Sequence, residues 1–277
     1  MRNLALFLVS LTFLASGCAH KRLSGTDLDA VSQPAFISRI EDGAGPRSDV
    51  FRGDGVYRPK LKKLDPREAD RRLAVKLGKG MSRFEVAERL RATTASMLPP
   101  ERPWTHTLNP AAVAQALQSF LVDEVPANPP DYELVGELGA DTIVEFVIEE
   151  YGMRSDGGKA GAYMLGYGRM FRIGGGEIWR RSFEVDSLEA GLPGVDPFAV
   201  GKDPQLYQQL MQDMLDGVAT QFAKDLSPSD RRGGGEVLPA SGTGVKKHEG
   251  DSQAPQKFTD DELPPGELPA PDEADPI

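Results

Sequence analysis

The stretch from Thr142 to Asp186 leaves the chain the least freedom. From Thr142 to Tyr151, Val144, Phe146 and Ile148 fall on one face while Glu145 and Glu149 point the other way. A period of two is the mark of a strand. Ser155-Asp156-Gly157-Gly158-Lys159 reads as a turn, and Ala162 to Ile173 as a second strand carrying Tyr163, Leu165, Tyr167 and Phe171 on one face. Gly166 and Gly168 fall on the opposite face, where a close neighbour or a bend is expected. Gly174-Gly175-Gly176 supplies the positive φ of a tight hairpin. Glu177 to Asp186 follows with Trp179, Phe183 and Val185 inward and Arg180 and Glu184 outward. Three consecutive strands joined by short turns predict an antiparallel meander over about 142–186.

Helical signals flank it. Asp65-Pro66, Asn109-Pro110 and Asp203-Pro204 each place a capping side chain directly before a proline. The side-chain oxygen accepts from free backbone N–H groups, and proline lacks only an N–H that would go unpaired there. The first helix is expected to stop near Gly78 and Gly80. Ser82 followed by Glu85 reads as a capping box for a second helix ending at Met97-Leu98-Pro99. The third carries Val113, Leu117, Phe120 and Leu121 at helical spacing and ends before Pro126. Asp131 to Leu138 predicts a helical turn closed by Gly139, and Val50 to Tyr57 a short strand. The last helix has the strongest stripe, Leu206, Leu210, Met211, Met214, Leu215, Val218 and Phe222, and is expected to cover one face of the meander. The fold class is therefore α+β.

The amino terminus carries a different message. Arg2 supplies a positive charge, Leu4 to Leu14 contain none, and Ala15-Ser16-Gly17 lead into Cys18. This is the layout of a secretory signal over residues 1–17, with cleavage between Gly17 and Cys18. The apolar run falls short of the roughly 20 residues a membrane span needs. Together with Cys18 it resembles the lipobox of bacterial lipoproteins, with Ala15 where the pattern prefers leucine. The resemblance implies acylation of the Cys18 thiol and of the new amino terminus, and membrane attachment through lipid. Cys18 is also the only cysteine, so no disulfide within the chain accounts for it. Ala19 is not the aspartate that retains lipoproteins in the inner membrane, which points to the outer membrane, facing the periplasm.

Residues 18–50 read as a lipid-anchored tether, 51–227 as the globular domain and 228–277 as a tail. Pro228 to Ile277 holds eleven acidic and five basic residues with Phe258 the one aromatic. So little apolar surface cannot offset the entropy of ordering, and disorder is expected. A formal net charge of −10 argues against a nucleic-acid partner.

Leu138-Gly139-Ala140-Asp141 before a central strand, Gly176-Glu177-Ile178-Trp179 on the third strand, and a long closing helix are similar to small envelope lipoproteins related to the curli-secretion component and to TolB-type amino-terminal domains. The resemblance spans residues 131–226. It implies a non-enzymatic part in an envelope assembly or export system, working with another envelope protein. Those families begin with a parallel strand that this sequence does not make evident.

Motifs for chemistry are sparse. No Gly-x-Ser-x-Gly elbow or phosphate loop occurs, and the histidines His20, His106 and His248 are scattered, so neither cofactor nor metal is expected. The function read from the sequence is a scaffold whose contact surface is the outer meander face, Glu145, Arg180 and Glu184. Two alternatives stand beside it. One is a wall-active hydrolase using Glu145 and Glu149, since glycoside cleavage needs only two carboxylates. The other is an apolar ligand or lipid held between helix and sheet, beneath Leu210 and Met214.

Overall fold

The computed structural model describes residues 20–230. The leader, Cys18 and residues 231–277 lie outside the described residues, and with them the expected cleavage, lipidation and disorder of the tail. In chain order the elements are α1 (Gly25–Asp29), β1 (Pro34–Ile40), β2 (Pro46–Asp49), α2 (Arg58–Leu61), α3 (Pro66–Gly80), α4 (Arg83–Met97), α5 (Pro110–Ala116), β3 (Leu121–Val122), β4 (Val125–Pro126), α6 (Glu133–Gly136), β5 (Thr142–Asp156), β6 (Lys159–Arg172), β7 (Glu177–Asp186), α7 (Pro197–Lys202) and α8 (Gln205–Asp225).

The fold is α+β, and the meander is present as β5-β6-β7, antiparallel throughout. Gly157 and Gly158, at φ +55° and +80°, make the two-residue turn between β5 and β6. Positive φ at both central positions matches the twist of paired strands, and glycine adopts it without strain.

The sheet does not end at β5. β1 runs parallel to it, Pro34 opposite Thr142 through Ile40 opposite Ile148, and β2 continues the same edge from Pro46 opposite Tyr151 to Asp49 opposite Arg154. This corrects the tether assigned to 18–50. From His20 onward the segment is part of the domain, and β1 is buried at every position. Phe36 and Ile40 join the core beneath the helices, while Ala35 and Ile37 pack against Val113, Leu117 and Val135 on the other face. A strand covered on both faces carries apolar residues without alternation.

Several helices begin as their caps dictate, whereas α8 starts one residue later than its Asp203-Pro204 pair predicts, with Pro204 at the N-cap and Asp203 accepting from the Gln205 amide at 3.1 Å. Asp65 accepts from the amides of Arg67 and Glu68 and starts α3. Ser82 and Glu85 form the reciprocal capping box of α4. Asn109 accepts from Ala111, but α5 stops at Ala116, and a 3-10 turn over Gln118–Phe120 leads into the β3-β4 hairpin. That region was expected to stay helical. A further Asp-Pro pair, Asp196-Pro197, caps α7. Val50 to Tyr57 is a turn followed by a 3-10 helix, not a strand.

The stripe of α8 lies on the meander as expected. Phe222 stacks on Phe146 at 5.2 Å and meets Trp179 and Phe183 edge-on at 5.4 and 5.7 Å. The room for these rings comes from β6. An added Cβ at Gly168 would sit 2.5 Å from the Trp179 ring, and one at Gly166 2.1 Å from the Val147 carbonyl. The glycine face of β6 is thus the core face, and Tyr163, Leu165, Tyr167 and Phe171 point outward. Gly168→Ala should lower the thermal midpoint by about 4–8 °C, the effect of roughly 2 kcal/mol of overpacking in a domain of this size. Calorimetry checks it, and an unchanged midpoint would mean that Trp179 and Phe222 give way freely.

Candidate functional site

The outer face of the sheet carries the residues singled out from the sequence. Register places Ile37, Glu145, Arg169 and Arg180 in one row across β1, β5, β6 and β7. The next row holds Arg39, Val147, Tyr167 and Ser182. Each side chain points outward because strand residues alternate.

Glu145 is not part of an exposed contact surface, which corrects its assignment there. Its side chain is 0% exposed. One carboxylate oxygen accepts from Arg169 Nε at 2.6 Å, and the other from the Tyr132 hydroxyl at 2.6 Å. Arg39 Nε stands 3.4 Å from the same oxygen as Tyr132. Arg39, 3% exposed, also donates to the Ala127 carbonyl at 3.3 Å and the Tyr167 hydroxyl at 3.4 Å. Arg169 Nη2 donates to the Tyr132 hydroxyl at 3.0 Å, and its guanidinium stacks on Phe171 at 4.8 Å. The arrangement clamps the segment 127–132 onto the sheet. It leaves the buried carboxylate compensated by two cations, the condition for an ion to persist away from water.

The electrostatics follow from that enclosure. Burial raises the Tyr132 phenol well above its ordinary pKa, and the adjacent Glu145 carboxylate adds to the shift. Burial works against the Arg169 charge, but Glu145 outweighs it and the guanidinium pKa rises. Glu149 is also raised, chiefly by burial and then by Glu41. It sits at the bulge where the β5-β6 register shifts between Ile148 and Glu150. The Glu145 carboxylate is sealed and taken up by Arg169 and Tyr132, so the two acids do not present a pair of free carboxylates.

Arg180 and Glu184 stay accessible. Arg180 is half-buried, stacked on Tyr167 at 4.0 Å and paired with Glu177 at 3.3 Å. Glu184 is exposed. Leu210 and Met214 are buried in the core beneath the sheet.

A groove of about 540 Å³ opens beside β2, lined by Arg47, Arg52, Arg67, Arg71 and Arg154 with Asp49, Asp70 and Glu150. Most of these charges are already matched: Arg52 to Asp49 at 2.9 Å, Arg47 to Glu150 at 3.4 Å, Arg154 to Asp186. Asp70, 5% exposed, is the anchor below it. Its Oδ1 accepts from the amides of Val50 and Phe51 at 2.9 and 3.0 Å and from the Ser48 hydroxyl at 2.6 Å. Its Oδ2 accepts from the Arg52 amide at 2.9 Å. Consecutive amides converging on an anion form a nest, and here the chain's own carboxylate occupies it.

Sequence reasoning missed Arg39, Tyr132 and Asp70. The one available signal was the isolated Arg39 inside the apolar run Phe36-Ile37-Ser38-Arg39-Ile40, since a charge within a strand core implies a partner. Among the described residues, no group of three or more His, Cys, Asp and Glu is placed to hold a metal ion. His106 lies exposed in a turn beside Thr105.

No family model matches the chain. No curated protein matches it either. Among solved structures, the chain is similar to the hypothetical protein CT253 from Chlamydia trachomatis, at 13% identity and a TM-score of 0.29, covering 70% of this chain and 98% of that one.

Proposed function

We propose that the chain is a lipoprotein of the outer membrane, facing the periplasm, and serves there as a non-catalytic scaffold or adaptor for another envelope protein. The observation that carries the reading is Cys18 directly after Ala15-Ser16-Gly17, at the end of a short leader whose uncharged run follows Arg2. The outer sheet face is compatible with it, because its buried charges are spent on holding the fold together. The contact surface is then the remainder of that face, Arg180 and Glu184, with Glu145 acting from below as support. The mechanism is confinement: lipid holds the domain at a surface and raises its effective concentration near partners.

Cys18→Ser is the direct test. The variant should leave the membrane fraction, and the wild-type mature chain should begin at Cys18 with added acyl mass. Unchanged fractionation, or a mature chain without acyl mass, would reject the anchor. Crosslinking in intact cells should recover an envelope protein, and Glu184→Lys should reduce that yield. Peptidoglycan cleavage by the purified protein would favour the hydrolase instead.

A further inference from the structure

A cavity of about 90 Å³ lies where α4, α5 and the β3-β4 hairpin meet the outer edge of β1. Its walls follow from helical spacing. Phe84, Ala87 and Arg91 recur along one face of α4, and Pro110, Val113, Ala114 and Leu117 along one face of α5 and its cap. Ala87 and Ala114 keep those faces short of side chain at the level of Phe36 and Ser38, and the space stays open. The floor is buried: Phe36, Val113 and Leu117 are at most 5% exposed. The mouth is apolar and reaches solvent, with Phe84 42% exposed and Pro110 and Ala114 exposed beside it.

Ser38 sets this cavity apart from a packing gap. It is 9% exposed, and its hydroxyl is buried without a hydrogen-bond partner. Removing a hydroxyl from water without compensation is unfavourable, and most buried polar groups are paired. The other polar side chains of the lining do not serve it. Glu88 and Arg91 pair with each other, and Glu124 is exposed at the hairpin turn. Among the described residues, Ser38 is thus the one uncharged polar side chain in an otherwise apolar wall. A buried water makes about three hydrogen bonds. A molecule with an apolar body and a single oxygen matches the wall better. A sealed apolar cavity of about 150 Å³ admits benzene. This one is smaller but open at Phe84, so a ring can enter from the mouth and keep its far edge against that side chain.

We infer that the cavity binds a small uncharged molecule of the phenol class, one apolar ring carrying one hydroxyl. The hydroxyl pairs with Ser38 Oγ, and the ring packs on Phe36, Val113 and Leu117. The site is separate from the filled core beneath Leu210 and Met214, and it does not depend on the adaptor reading.

The test uses phenol, with toluene as the isostere that lacks the hydroxyl. The protein is the chain from Cys18 onward carrying Cys18→Ser, so that no acyl group competes for the cavity. Phenol should shift the methyl resonances of Val113 and Leu117 saturably, with a dissociation constant of about 1 mM, ordinary for a ligand of this size. Ser38→Ala should weaken phenol about fivefold, the loss of one hydrogen bond, and leave toluene as tight or tighter. Without ligand, Ser38→Ala should keep or raise the thermal midpoint, because it removes an unpaired hydroxyl. Ala114→Phe, at the exposed mouth, should abolish binding of both probes with the midpoint unchanged. No saturable shift with phenol, an equal effect of Ser38→Ala on both probes, or a lower midpoint for Ser38→Ala overturns the inference. Tighter binding of N-acetyltyrosinamide than of phenol would assign the cavity to a side chain of another protein and overturn it as well.

Discussion

Glu145→Ala should destabilise the domain by about 3–5 kcal/mol, because it leaves the buried Arg39 guanidinium with only the more exposed Glu41 at 3.7 Å as a carboxylate partner and unpairs the half-buried Arg169. Arg39 is 3% exposed and cannot turn to solvent without opening the sheet face. Arg169 loses its 2.6 Å carboxylate partner, and Tyr132 loses the acceptor that docks its segment. Thermal unfolding should show a midpoint lower by on the order of 10 °C. The decisive comparison is the triple replacement Arg39→Met, Glu145→Leu, Arg169→Met. Removing every member of a buried ion cluster can be close to neutral, whereas removing one leaves an uncompensated charge. The triple variant should therefore recover much of the loss. If Glu145→Ala costs no more than a surface substitution, the clamp does not hold segment 127–132.

Asp70→Ala should have an effect of similar size through a different route. Three backbone amides and the Ser48 hydroxyl lose their acceptor together. Hydrogen bonds to a charged group contribute roughly 1.5–3 kcal/mol each, and a buried donor left unpaired adds its own penalty. These terms are not additive, so a net loss of about 3–4 kcal/mol is expected. The damage should be local first. Amide exchange at Val50, Phe51 and Arg52 should quicken by more than the global unfolding rate explains. Asp70→Asn should fall between, since its amide oxygen serves one set of donors while its NH₂ faces another. Unchanged exchange at those three amides would show that α3 and the 49–53 turn are held by apolar packing alone.

Both anchors illustrate what a sequence conceals. The meander, the helix caps and the α8 stripe were legible because each depends on residues close together in the chain: a period of two, an Asp-Pro pair, glycine at a turn. β1 was not. Its residues alternate between two buried faces, so the pattern dissolves into scattered apolar positions, and Arg39 in their midst breaks it further. Its partner Glu145 lies roughly a hundred positions away, beyond any local rule. Glu145 itself was read as exposed because alternation on a half-covered sheet normally puts water on the polar side. Here the 127–132 segment and two arginines exclude the water. Arg180 and Glu184 were placed better, being on the outermost strand, where less covers them.

The parallel pairing of β1 with β5 also sets a timetable. Pro34 reaches its partner Thr142 only after roughly a hundred intervening residues have been made, so this contact closes late and at the cost of a long loop. A nascent chain, or one threading through a translocation channel amino end first, must carry Pro34–Ile40 unpaired until β5 emerges. During that interval an apolar strand with free edges is open to wrong partners. Fragments ending before Thr142 should accordingly aggregate or be degraded, and a holding chaperone would find its first target in this strand.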